Sequence, residues 1–161
     1  MQLHGYRVTA VPASRIYHLG GGTLPNNSPG KLYLNYRNNL LMLSNNLAMT
    51  YALSLYKAGA DTLTASRKAS RRASFRIFER MFLDGISALA YLLKGKWSWM
   101  KAVWKAHRDY RKLRRSPSPG ETALWLEAFS EKACVRGIYD KWIVPRALLK
   151  GAGALEIAER L

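Results

Sequence analysis

The sequence predicts a mainly α chain with a short β element near its N-terminus, and three observations predict it. Between residues 28 and 115, apolar side chains recur every three or four positions, the spacing of a helix face. Proline and glycine interrupt that pattern at only a few places. Only Gly5–Pro12 and Ser14–Leu19, rich in Val, Ile and Tyr and parted by a turn at Pro12 and Ala13, read as extended.

Each element has a local reason. Two strands are marginal alone, so the pair at 5–19 calls for further strands, either upstream or on another chain. Gly20, Gly21 and Gly22 form a loop that continues through Pro25, Asn26 and Asn27. Ser28 and Pro29 suit the N-cap and first position of a helix: the serine can accept a free amide bond, and the proline has no amide to lose. The helix that follows places Leu32, Tyr36, Leu40, Leu43 and Leu47 on one face, and Leu34, Leu41 and Met42 widen it until the helix must be largely buried.

The pattern weakens between Met49 and Arg67, around Gly59, Asp61 and Thr62. A second helix is expected from about Arg72 to Lys94, with Phe75, Phe78, Phe82, Ile86, Leu89 and Leu93 on one face and Gly95 as its stop. Lys68, Arg72, Arg76 and Arg80 recur every four residues on another face, stacking like charges that an anion or water must screen. A third helix, Trp97 to Arg114, places Trp97, Met100, Trp104 and His107 in a stripe beside Lys101, Lys105, Arg108 and Lys112. Ser116-Pro117-Ser118-Pro119-Gly120 breaks the chain, and Glu121–Arg136 and Ile138–Lys150 read as two further helical segments. Three regions follow from this reading: 1–48, a basic amphipathic helical region 49–115, and a helical tail 116–161.

The chain carries 26 Lys and Arg against 10 Asp and Glu, a net charge of +16. Lys57 to Arg115 holds 16 basic and 4 acidic residues, so +12 of that charge is local. Local charge favours a docking surface over general solubility. The lone cysteine, Cys134, cannot form an intramolecular disulfide and reads as an ordinary buried thiol in a reducing compartment. Met1–Arg7 lacks the apolar run of a signal peptide, and no segment has the length and apolarity of a bilayer span.

Several runs carry a resemblance to a known family. They are Gly5-Tyr6-Arg7-Val8, Val11-Pro12-Ala13-Ser14, and Ile16-Tyr17-His18-Leu19-Gly20-Gly21-Gly22-Thr23-Leu24, followed by Lys31-Leu32-Tyr33-Leu34-Asn35-Tyr36-Arg37-Asn38-Asn39-Leu40-Leu41. Leu83-Asp84-Gly85, Leu92-Leu93-Lys94-Gly95 and Lys105-Ala106-His107 belong to the same set. Together they resemble the C-terminal portion of a bacterial family 2 glycosyltransferase of the GT-A type, lacking the N-terminal half that binds the nucleotide sugar. The resemblance covers about Gly5 to Arg115, departs from the pattern around Met49 to Ser74, and is weak after Pro119.

That resemblance implies the end of a GT-A-like α/β domain at 1–48 followed by amphipathic helices. It further implies a nucleotide-diphospho-sugar donor, a glycan or lipid-linked acceptor in cell-surface glycan synthesis, and Mg2+ or Mn2+ on the diphosphate. His18 matches a histidine that completes the metal shell in related transferases; read from its residue type alone, it is a strand-end histidine bonding a backbone carbonyl. Gly20, Gly21 and Gly22 would face the diphosphate with backbone amides, or form a flexible turn. Arg37 and Asn38 would clamp the diphosphate or acceptor, or bond the missing strands.

Such enzymes resemble one another in an Asp-x-Asp metal site and a later acidic base, and this chain contains no Asp or Glu before Asp61. No catalytic residue is therefore assigned, and the chain is expected not to transfer sugar by itself. A third reading is a structural or regulatory remnant, a split or truncated product that associates with a separate catalytic chain.

The basic helices suit an anionic bilayer, with Arg72, Arg76, Arg80, Trp97, Trp99, Lys101, Trp104 and Lys105 at headgroup level. A cytoplasmic location, peripheral at the inner face of the plasma membrane, follows from that placement. Alternatively the stripes pack on one another and the charges are solvated. A small nucleic-acid-binding module is the competing class, supported by charge but lacking a recognition helix, a stacking platform or a zinc-ligand set.

Overall fold

The computed structural model describes residues 2–7, 9, 11–15, 17, 25 and 27–133. The chain divides into two compact units, Met1–Thr9 with Glu131–Leu161, and Ala10–Ser130. In the first, a 3-10 turn spans Gln2–His4. Gly5 follows at φ +81°, where a Cβ would lie 2.9 Å from the Lys132 carbonyl oxygen. Both the backbone sign and the space select glycine there.

The second unit contains four helices among the described residues: α1 (Pro29–Lys57), α2 (Thr62–Leu93), α3 (Trp97–Leu113) and α4 (Pro119–Phe129). The mainly α class is correct, but the expected β element is not found: no strand occurs among the described residues. The turn at Pro12 and Ala13 does form, with the Ser14 amide donating to the Val11 carbonyl at 3.0 Å. Its described flanks lack the ladder partners that would make strands of them, the difficulty inherent in two strands alone.

Local capping sets the helix ends. Ser28 accepts from the Lys31 amide at 3.3 Å, with Pro29 at the first position. Asp61 accepts from the Thr64 amide at 2.9 Å, which starts α2 ten residues before the expected Arg72. That hydrogen bond, the largest cause, holds the Asp61 carboxyl below its ordinary range. Ser118 and Glu121 form a reciprocal capping box on α4, at 3.1 and 2.7 Å, so the Ser-Pro run that ends one helical stretch also starts the next.

Two glycines close helices. Gly59 at φ +96° and Gly95 at φ +69° follow the last residues of α1 and α2. In each case the glycine amide and the next amide bond back to the last turn: Gly59 to Tyr56 and Ala60 to Leu55, Gly95 to Leu92 and Lys96 to Tyr91. This is the Schellman arrangement. Only Gly95 is expected from the sequence; Gly59 lies in the stretch where periodicity fades, and α1 runs on through residue 48 to reach it.

α1 packs against α2, α3 and α4, and α2 against α3 and α4. The core holds Leu40, Tyr51, Ala52 and Leu53 of α1, Val103, Ala106 and Tyr110 of α3, and Trp125 and Leu126 of α4. α2 contributes only small or polar side chains to it: Ala65, Ser66, Ala69, Ala73 and Asp84. Small residues let helix axes approach closely along this face, while Ile77, Met81 and Tyr91 are half-buried farther along α2.

Candidate functional site

The polar side chains of the second unit converge where α1, α2 and α3 meet. Tyr33 is the hub. Its hydroxyl donates to Asp109 Oδ2 at 2.9 Å and accepts from Arg37 Nη1 at 2.9 Å. Two cations lie against its ring, Arg37 at 5.0 Å and Lys105 Nζ at 5.0 Å from the centroid. The Tyr33 hydrogen bond is the largest cause holding the Asp109 carboxyl below its ordinary range, with Arg108 and Lys105 adding to it. Arg37 is oriented further by Asn38, whose Oδ1 accepts from Nε at 3.1 Å and Nη2 at 3.0 Å.

One step deeper, Asp84 of α2 is 2% exposed. A buried carboxylate needs compensation. His107 Nε2 lies 3.1 Å from Oδ2, and because a carboxylate accepts, that nitrogen carries the proton. Arg80 Nε lies 2.9 Å from Oδ1 as an ion pair without hydrogen-bond alignment, and its guanidinium sits 5.7 Å from the Tyr36 ring. Tyr36 also bonds Tyr91, whose hydroxyl pKa is raised by burial first and by Tyr36 second. Two polar groups result, one around Tyr33 and one around the buried Asp84, and Tyr33 and Tyr36 carry them on neighbouring turns of α1.

Arg37 is thus brought together with Lys105 on the Tyr33 ring, although the sequence assigned them to different surfaces. Arg72 stacks 4.7 Å over Tyr51 and Arg76 bonds Glu79 at 2.9 Å, so all three arginines of the four-residue row have partners within the bundle. Those partners relieve the like-charge stacking expected of the row. Trp99 is half-buried against Tyr91, 5.5 Å between centroids, with Lys96 5.2 Å over it. Trp97, Lys101, Trp104 and Lys105 are exposed. His18, Gly20, Gly21, Gly22 and Cys134 lie outside the described residues, as does the segment Ile138–Lys150.

Neither Tyr33 as a polar hub nor Asp109 is singled out by the sequence. The signal available was the Tyr33 and Arg37 spacing of four, which puts both on one helix face. Nothing local links Tyr33 to a residue 76 positions away.

The cluster does not fit Mg2+ or Mn2+. Asp84 and His107 are suitable ligand types, but Arg80 faces the other carboxylate oxygen, and no group of three His, Cys, Asp or Glu that could hold a metal occurs among the described residues. The group formed by Arg37, Lys105 and the Tyr33 ring is suited instead to a planar or phosphate-bearing anion. No helix of the described residues is long and apolar enough to cross a membrane.

No protein-family model matches the chain, and no match was found among curated proteins or solved structures.

Proposed function

We propose that this chain is the C-terminal helical portion of family 2 glycosyltransferase machinery, working at the cytoplasmic face of the plasma membrane and completing a sugar-transfer site that it does not form alone. One observation carries the reading. Three separated segments that resemble the family, 31–41, 83–85 and 105–107, meet in pairs across the bundle: Tyr33 and Arg37 with Lys105, and Asp84 with His107. Segments far apart in sequence meet at these contacts, and that meeting supports the reading.

In this role, Arg37 and Lys105 offer positive charge to the diphosphate that a nucleotide-sugar donor leaves behind, and Tyr33 orients Arg37 through its hydroxyl. Asp109 lowers the local charge and fixes Tyr33. Mg2+ or Mn2+ and the general base belong to acids on an upstream segment or a separate catalytic chain, where His18 could add a ligand. The acceptor is a glycan or a lipid-linked saccharide.

Affinity capture of the tagged chain from its source cells tests this reading, followed by assay of nucleoside diphosphate release from a panel of nucleotide sugars. The captured material is expected to turn over while the purified chain does not, and Arg37→Ala with Lys105→Ala is expected to reduce turnover. Captured material with no transferase activity on any donor sinks the reading.

A further inference from the structure

The outer face of α2 is inverted relative to an ordinary amphipathic helix. At about 100° per residue, Phe75, Phe78, Phe82, Ile86, Leu89 and Leu93 fall on one narrow arc, and Ala69, Ala73 and Asp84 fall on the opposite one. The structure buries the alanine side and leaves the six large side chains 50–80% exposed. The stripe covers about 27 Å of helix at 1.5 Å per residue. A continuous apolar row of that length marks an interaction surface.

Charge decides what the surface meets. Lys68 and Arg71, both exposed, lie on the same arc at the N-terminal end of the stripe; Lys94 and Lys96 follow Leu93 at the other. Of the two acids in α2, Asp84 faces the core and Glu79 is held by Arg76 at 2.9 Å. α3 continues the pattern with exposed Trp97 and Trp104 interleaved with exposed Lys101 and Arg108. Pairing two copies through this face would bring together chains that each carry +16. An anionic partner relieves that repulsion, whereas a second copy adds to it.

We propose that the outer stripe of α2 is the element by which this protein lies in the headgroup region of an anionic bilayer, with the phenylalanines in the acyl boundary and the flanking lysines and arginines on lipid phosphates. This inference rests on the membrane placement proposed above and is independent of sugar transfer. It also reassigns the contact. Arg72, Arg76 and Arg80 are held by Tyr51, Glu79 and Asp84, and Phe75–Leu93 with Lys68, Arg71 and Lys94 take their place at the lipid.

The experiment is co-sedimentation of the full chain with vesicles of phosphatidylcholine alone and of phosphatidylcholine mixed with phosphatidylglycerol. Binding is expected to the anionic vesicles and to weaken with salt. Phe78→Ser combined with Phe82→Ser removes outward side chains only, so helicity by circular dichroism is retained while vesicle affinity falls about a hundredfold. Lys68→Gln and Arg71→Gln each lower it about fivefold on anionic vesicles and leave neutral ones unaffected. Equal affinity for both vesicle types overturns the proposal, as does binding that ignores the phenylalanine pair. So does a dimer in light scattering that dissociates on those substitutions in a chain that does not bind vesicles. Should the protein fractionate with membranes in cells while the purified chain ignores vesicles, the membrane placement stands through a partner and the α2 face is the part that fails.

Discussion

His107 of α3 and Asp84 of α2 meet in the interior at 3.1 Å, with Arg80 on the other carboxylate oxygen at 2.9 Å. The acid is the most deeply buried charge of α2, and its two partners come from different helices. It therefore joins α2 to α3 by chemistry that the small alanines of α2 do not provide.

Asp84→Ala is expected to lower unfolding free energy by about 1–3 kcal/mol, the cost of stranding polar partners in a poorly hydrated site. The half-exposed Arg80 regains water, which keeps the figure below that of a fully buried pair. Asp84→Asn keeps the shape and one acceptor and should cost less. Urea denaturation of both variants checks the order; equal stability of wild type and Asp84→Ala would remove the clasp from the account of the fold.

Tyr33 and Asp109 set a pH dependence with a definite sign. The folded Asp109 carboxyl is held below its ordinary value of 3.8, so its contribution is fully present above that value and is lost as pH falls through the folded pKa. Asp61 and Glu121, lowered by their cap hydrogen bonds, act in the same direction. The melting temperature is expected to fall on acidification below about pH 4. Tyr33→Phe should move the Asp109 titration, followed by carboxyl NMR, back towards 3.8.

At the alkaline end the sign reverses. Burial raises the Tyr91 hydroxyl above its ordinary 10.0, so the folded state keeps the proton where the unfolded chain has lost it. That stabilising contribution is complete below pH 10 and declines as pH rises through the folded value. Tyr91→Phe should flatten the loss of stability in thermal melts taken above pH 10.

Gly85 inside α2 and Gly95 just beyond its end should respond in opposite directions to the same substitution. Gly95, at φ +69°, closes the helix, and Gly95→Ala is expected to cost about 1 kcal/mol. Gly85 lies inside the helix, where an added Cβ meets no atom within 4 Å, so Gly85→Ala should stabilise by about 0.5–1 kcal/mol. Thermal denaturation of the pair reads the sign directly.

The α4 side of the core offers a contrast of mechanisms. Leu126→Ala leaves a cavity at a fully buried site and should cost about 2–5 kcal/mol. Trp125 is also buried, but its Nε1 has no hydrogen-bond partner among the described residues. Trp125→Phe removes an orphaned donor along with some packing, so its cost should stay under about 2 kcal/mol. Chemical denaturation monitored by circular dichroism distinguishes the two.

By itself the sequence determined the helical class, the caps at Ser28 and Gly95, the span of α3, and the local positive charge. These depend on residues within a turn of one another, so a short window of sequence contains their cause. The start of α2 at Asp61 was equally local, but fading periodicity around Gly59 masked it. Tertiary structure alone decided that Tyr33 would hold Asp109, that His107 would answer Asp84, and which face of α2 would turn inward. The phenylalanine row is the better buried face by transfer free energy. Packed between neighbouring helices, however, α2 presents alanines, whose small size permits close approach, and accommodates Asp84 with partners from two helices. That choice depends on the shapes of the surrounding helices together, which no single segment encodes, and it is what leaves an apolar stripe facing outward on a strongly basic protein.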